Sequence, residues 1–81
     1  MNIVICGAGQ VGSHAAEVLT PAGHNITVID QSSARVRRIG DTLDVRTLRG
    51  NCASAEVLHD AGCAKADLVV AATSSDEINL L

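Results

Sequence analysis

Two features of the sequence could do chemistry. The first is ICGAGQVGSH at 5–14, where Gly7, Gly9 and Gly12 stand at the spacing G-x-G-x-x-G. The second is Asp30, 18 residues beyond Gly12. A glycine loop between a strand and a helix brings bare main-chain amides, aided by the helix dipole, onto the oxygens of a phosphate. An acid about 20 residues further on accepts hydrogen bonds from the hydroxyls of a ribose. Together they would hold a nucleotide, provided that a strand–loop–helix unit leads into a second strand. The alternative is a tight turn without a ligand, with Asp30 a capping or turn aspartate.

The flanking sequence has that order. NIVIC at 2–6 is a β-branched run ending at glycine, the mark of a buried strand. Val11, Ala15, Val18, Leu19 and Ala22 then recur at helical spacing, and the helix should stop near Leu19 or Thr20, ahead of Pro21 and Gly23. NITVI at 25–29 reads as a second strand closed by Asp30. Ser32 or Ser33 can cap a helix that turns Val36 and Ile39 inward and loosens at Gly40 and Asp41. DVRTL at 44–48 has the half-exposed pattern of an edge strand, and Val57, Leu58 and Ala61 mark a short helix ended by Gly62. DLVVAA at 67–72 is apolar on both faces, hence a central strand. Ser74–Glu77 has the layout of a capping box and opens a last helix, expected to run to Leu81.

Strands and helices thus alternate with short connections, which predicts an α/β fold: a Rossmann-like, doubly wound parallel sheet in the order 3-2-1-4. Residues 1–81 read as a single, partial domain of this kind. The fourth strand would then lack an outer neighbour, and an unprotected apolar edge favours pairing with another chain, so either a homo-oligomer or continuation in a longer chain is expected.

Within this frame each loop residue has a task. Gly7 permits the turn out of the strand, Gly9 lets the backbone approach a pyrophosphate, and Gly12 allows helix and strand to pack closely. Ala8, Gln10 and Val11 lie in the same loop and first helical turn. Asp30 is followed by Gln31, Ser32 and Ser33 rather than a basic pair, which favours NAD over NADP. Asn51 and Cys52 follow the third strand, and Thr73 and Ser74 follow the fourth, at the carboxyl ends where open α/β sheets bind ligands. Arg35 could reach an adenine edge or a phosphate, or lie on a solvated face.

Composition removes other function classes. The chain has 81 residues, is 47% apolar and contains no Phe, Trp or Tyr, so its core must be aliphatic. Without aromatic platforms it is unsuited to stacking single-stranded nucleic acid, and a net charge of −3 gives no phosphate-backbone footprint. Three scattered cysteines, Cys6, Cys52 and Cys63, read as reduced thiols of a cytoplasmic protein and support neither a zinc site nor a disulfide framework. No metal-ligand cluster, Ser/His/Asp set or paired acid can be assembled. No apolar run approaches the length of a membrane span.

Beyond these residues, the chain resembles the N-terminal half of the TrkA-N domain, also called RCK or KTN, of potassium-transport regulators. The resemblance covers nearly the whole sequence. It rests on IVICGAGQVGSHAAEVL at 3–19, ITVIDQSSARV at 26–36, DVRTLRGNCASAEVLHDAG at 44–62 and ADLVVAATSSDEINLL at 66–81. It implies a cytoplasmic, non-enzymatic domain that binds NAD(H) or ATP/ADP and alters a membrane potassium transporter or channel. By motif, Gly7, Ala8, Gly9, Gln10, Val11 and Gly12 would form the phosphate loop, and Asp30, beside Gln31, would hold the ribose. Asn51, Cys52, Thr73 and Ser74 would rim the site. Cys52 stands where the family commonly has alanine, and a family domain continues for two further strands. The rival reading is the cofactor-binding half of an NAD-dependent oxidoreductase, which would share the loop and Asp30.

Overall fold

A computed structural model of the chain describes residues 1–72 and 78–80. Strand β1 (Asn2–Cys6) leads into helix α1 (Gln10–Leu19), which ends in a single 3-10 turn at Thr20–Ala22. Strand β2 (Asn25–Asp30), helix α2 (Ser33–Thr42), strand β3 (Arg46–Arg49), helix α3 (Ala55–Asp60) and strand β4 (Leu68–Ala72) follow. These four strands are parallel and lie in the order 3-2-1-4, the doubly wound arrangement expected.

Alternation along the strands builds a core on each face of the sheet. Ile3, Ile5, Ile26, Val28 and Val70 pack with Ala16 of α1 and Ile39 of α2 on one side. Val4, Cys6 and Ile29 pack with Ala61 on the other, where Val57 and Leu58 of α3 join them. Burial on both faces is why NIVIC is an unbroken apolar run. Strand β3 pairs only with β2 and is half exposed, as an edge should be.

The inward face of α1 differs from the sequence expectation. Gly12 and Ala16 are buried and Ala15 and Leu19 pack on the core, whereas Val18 is 59% exposed and Ala22 lies on the surface. The cause is Gly12. A β-carbon there would stand 1.8 Å from the Gly7 carbonyl oxygen, so the helix seats its bare side against the loop. That contact fixes the rotation of α1 and turns the Val11–Val18 stripe away from the sheet.

The chain end also departs from expectation. The capping box at 74–77 lies outside the described residues, but Ile78–Leu80 is a strand, β5, and not part of a helix. It runs antiparallel to β4, with Val70, Ala71 and Ala72 opposite Leu80, Asn79 and Ile78. Residues 73–77 are too few for the crossover that a parallel partner requires, so the chain returns antiparallel and fills the hydrogen-bonding edge of β4. Strand β4 therefore has a neighbour, and the argument for self-association through its free edge loses its premise.

Helix α2 begins where Ser32 accepts a hydrogen bond from the Arg35 amide at 3.3 Å, and it continues through Gly40 and Asp41 to Thr42. Ser32→Ala is expected to lower stability by about 0.5–1 kcal/mol, the usual worth of such a cap, measured by urea denaturation.

Candidate functional site

The carboxyl ends of the parallel strands surround a cleft of about 480 Å³. Strand β1 brings Cys6 and then Gly7 to its floor, β2 brings Ile29 and Asp30, and β4 brings Ala71 and Ala72. Gly50, Asn51 and Cys52 come from the segment after β3, and Arg35 from the first turn of α2. The cleft opens beside β1 and β4, neighbours in the sheet, where the helix that follows β1 and the helix that precedes β4 lie on opposite faces. Ligands of doubly wound sheets bind at such a switch point.

The three loop glycines do different work. Gly7 has φ +112°, and a β-carbon on it would stand 2.0 Å from the carbonyl oxygen of Ala72, so turn and close approach both exclude a side chain. Gly12 is excluded from change by the loop carbonyl already described. Gly9 has neither constraint. Its φ of −74° suits any residue, and among the described residues the only atom near a β-carbon there would be a guanidinium nitrogen of Arg35 at 3.8 Å. The fold does not need a glycine at this place, and a side chain there would occupy the cleft. Gly9 is also the N-cap of α1, where no side chain caps the helix and its first turn carries no acid. The start of α1 thus carries no cap and no acid of its own.

Asp30 is largely buried, its side chain 11% exposed, and its carboxylate is already engaged. Oδ2 accepts the Ala8 amide hydrogen at 2.8 Å, and Oδ1 accepts that of Ser32 at 2.8 Å. The Arg35 guanidinium lies 3.8 Å from Oδ2. An ionised carboxylate has about four acceptor sites, so two remain for ligand hydroxyls. Asp30 thus ties the glycine loop to β2 as well as facing the cleft. The sequence reading missed this structural task because nothing in spacing shows which amide an acid will meet.

Of the residues expected at the site, Gly7, Gly9, Asp30, Gln31, Asn51 and Cys52 line the cleft together. Ala8 is buried and contributes its amide to Asp30, and Gly12 is buried behind the loop. The side chains of Gln10 and Val11 line a separate shallow depression on α1 with His14, Ala15 and Val18, leaving only main-chain groups for the phosphate loop. Thr73 and Ser74 lie outside the described residues. Cys6, Ile29, Gly50, Ala71 and Ala72 were not singled out. The strand-end rule would have found most of them, since each ends or borders a parallel strand.

Two thiols share the cleft. Cys6 and Cys52 pack in one cluster, and the interaction with Cys52 holds the Cys6 thiol below its ordinary range by more than burial raises it. The same interaction, then burial and the nearby charges of Cys6, Asp30 and Cys63, pushes the Cys52 thiol far up. Cys63 is pushed up by its partly buried position and by Cys6. Ile29, Ala71 and Ala72 add an aliphatic wall, and Gln31, Ser32, Arg35 and Asn51 a polar one. The cleft can seat a flat apolar body, accept from hydroxyls at Asp30 and receive an anion at α1. Among the described residues no group of three or more His, Cys, Asp or Glu side chains could hold a metal ion.

Comparison with known proteins agrees with this architecture. The TrkA-N domain family model matches residues 3–81. The Trk system potassium uptake protein TrkA of Haemophilus influenzae is 46% identical over 81 residues, 100% of this chain and 18% of that protein. The Trk system potassium uptake protein TrkA homolog of Archaeoglobus fulgidus is likewise 46% identical over 81 residues and the same shares. The chain therefore spans about a fifth of the length of these relatives. Among solved structures, the Kef C-terminal domain of Shewanella denitrificans in an AMP-bound form superposes with a TM-score of 0.78 at 23% identity, covering 93% of this chain and 44% of that one. That likeness shows the shared fold.

Proposed function

The chain belongs to the TrkA-N domain family, and from that premise we propose that residues 1–81 are part of a regulatory nucleotide-binding domain of a Trk- or Ktr-type potassium transport system. Its ligand is NAD(H) or, alternatively, ATP/ADP. The observation that carries the reading is Gly9: a glycine that the fold does not require, bare toward the cleft, at the uncapped start of α1. An aliphatic wall for a base, an acid with free acceptor sites for a ribose and an anion-binding helix end then stand in one cleft. The AMP carried by the Kef domain supports an adenine nucleotide as its occupant.

In this reading the domain binds its nucleotide without transforming it. Regulation follows if the nucleotide binds two arrangements of a homo-oligomer unequally, since a ligand moves such an equilibrium only by its difference in affinity. The domain then works at the cytoplasmic face of the membrane, through contact with a potassium transporter or channel subunit. No helix among the described residues is long and apolar enough to cross a membrane.

A thermal-shift panel of NAD, NADH, NADP, ATP and ADP tests the ligand. A nucleotide at a hundred times its Kd should stabilise the protein by about 2.7 kcal/mol. Asp30 would repel a 2′-phosphate, so NADP is expected to give the smallest shift. No shift with any of the five would refute the nucleotide reading.

A further inference from the structure

Cys6 ends β1 and Cys52 lies just beyond β3, yet both line the floor of the same cleft and pack in the same side-chain cluster. Both are free thiols, and each shifts the titration of the other. Cys6 is nearly buried at 7% exposure, while Cys52 is half-buried and open to the cleft. Cys63 belongs to the same cluster but does not line the cleft. A nucleotide seated in the cleft would lie against this pair.

We propose that Cys6 and Cys52 are a thiol modification site that closes to an intramolecular disulfide under peroxide, and that this closure and nucleotide occupancy oppose each other. The opposition, though not the disulfide, rests on the nucleotide reading above. In the first step a thiolate sulfur attacks one peroxide oxygen, the O–O bond breaks, and the protonated leaving oxygen departs as water. The resulting sulfenic acid is attacked by the second thiol, the S–O bond breaks, and a second water leaves. Two thiols lose two hydrogens and two electrons, and peroxide becomes two waters. Drawing Cys52 onto Cys6 moves the residue that follows Asn51 and whose sulfur feels the charge of Asp30. The disulfide would therefore narrow the cleft and shift its rim. A bound nucleotide would in turn shield the thiols from peroxide.

The test treats the protein with hydrogen peroxide, with and without saturating ADP or NADH, and maps cysteine peptides under non-reducing conditions. The expected product is a Cys6–Cys52 crosslink with the mass of two hydrogens lost. It should form in Cys63→Ala, be abolished in Cys52→Ala and reverse with dithiothreitol. Crosslinking of Cys63 instead, crosslinks between chains, or separate sulfinic acids would overturn the site. Oxidised protein should bind ADP or NADH about tenfold more weakly, and either ligand should slow crosslinking. Equal affinity and equal crosslinking rates would overturn the coupling while leaving the disulfide. Failure of reduced protein to bind any nucleotide would overturn the coupling and the proposed function, but not the disulfide.

Discussion

Gly12→Ala is expected to destabilise the protein by more than about 3 kcal/mol, beyond the usual cost of overpacking. The new methyl carbon would stand 1.8 Å from the Gly7 carbonyl oxygen and 2.8 Å from its carbon, both main-chain atoms of a loop pinned to Ile29 and Asp30. Relief requires α1 to lift from the sheet, which opens the packing of Ala16 against Ile3, Ile5 and Val70. A small domain has roughly 5–10 kcal/mol to lose, so much of the chain should be unfolded or easily melted. Gly9→Ala is the matched control. Its backbone is compatible with alanine, and the stability change should stay within about 1 kcal/mol, the scale of an N-cap exchange. Adenine-nucleotide affinity should nevertheless fall about tenfold or more, or ~1.4 kcal/mol. Urea denaturation and titration calorimetry on both variants separate the roles. A Gly9 variant that binds normally would remove the main support for a phosphate at this loop.

Asp30→Asn is expected to weaken folding and binding together. The carboxylate accepts from two main-chain amides, one on each oxygen. A carboxamide has one acceptor oxygen, so its amino group must face the hydrogen of either Ala8 or Ser32. Leaving one such donor unsatisfied costs about 1–3 kcal/mol. If Ala8 is the donor left over, the glycine loop keeps the Gly7–Ile29 bond to β2 but loses its side-chain anchor, and in either case Arg35 loses its nearby charge at 3.8 Å. Nucleotide affinity should drop by a comparable ~1–3 kcal/mol, and Asp30→Ala should lose at least as much. The two effects are read separately: denaturation of unliganded protein reports the loop anchor, and calorimetry at a temperature where the variant is folded reports the ribose contact. Unchanged affinity in the folded variant would take Asp30 out of the ligand site. Unchanged stability would mean that water replaces the lost acceptor.

The local order of elements was decided by the sequence itself. Unbroken β-branched runs, glycine and proline stops and serine caps are short-range signals, and they sufficed for four parallel strands and three helices in the doubly wound order. The same signals brought Gly7, Gly9, Asp30, Gln31, Asn51 and Cys52 to one place, because parallel strands deliver their carboxyl ends to one edge of the sheet. Tertiary structure decided what depends on a partner distant in the chain. The rotation of α1 came from a clash that Gly12 avoids with a loop carbonyl, so helical periodicity alone turned Val18 inward where the structure exposes it. The fate of 78–80 came from the open edge of β4, which drew a segment expected to be helical into the sheet. The anchoring of Asp30 on Ala8 and the meeting of Cys6 with Cys52 join residues 22 and 46 positions apart in the sequence. Spacing records which groups exist along a chain, while an amide, a carbonyl or a thiol acquires its partner only when the sheet has closed.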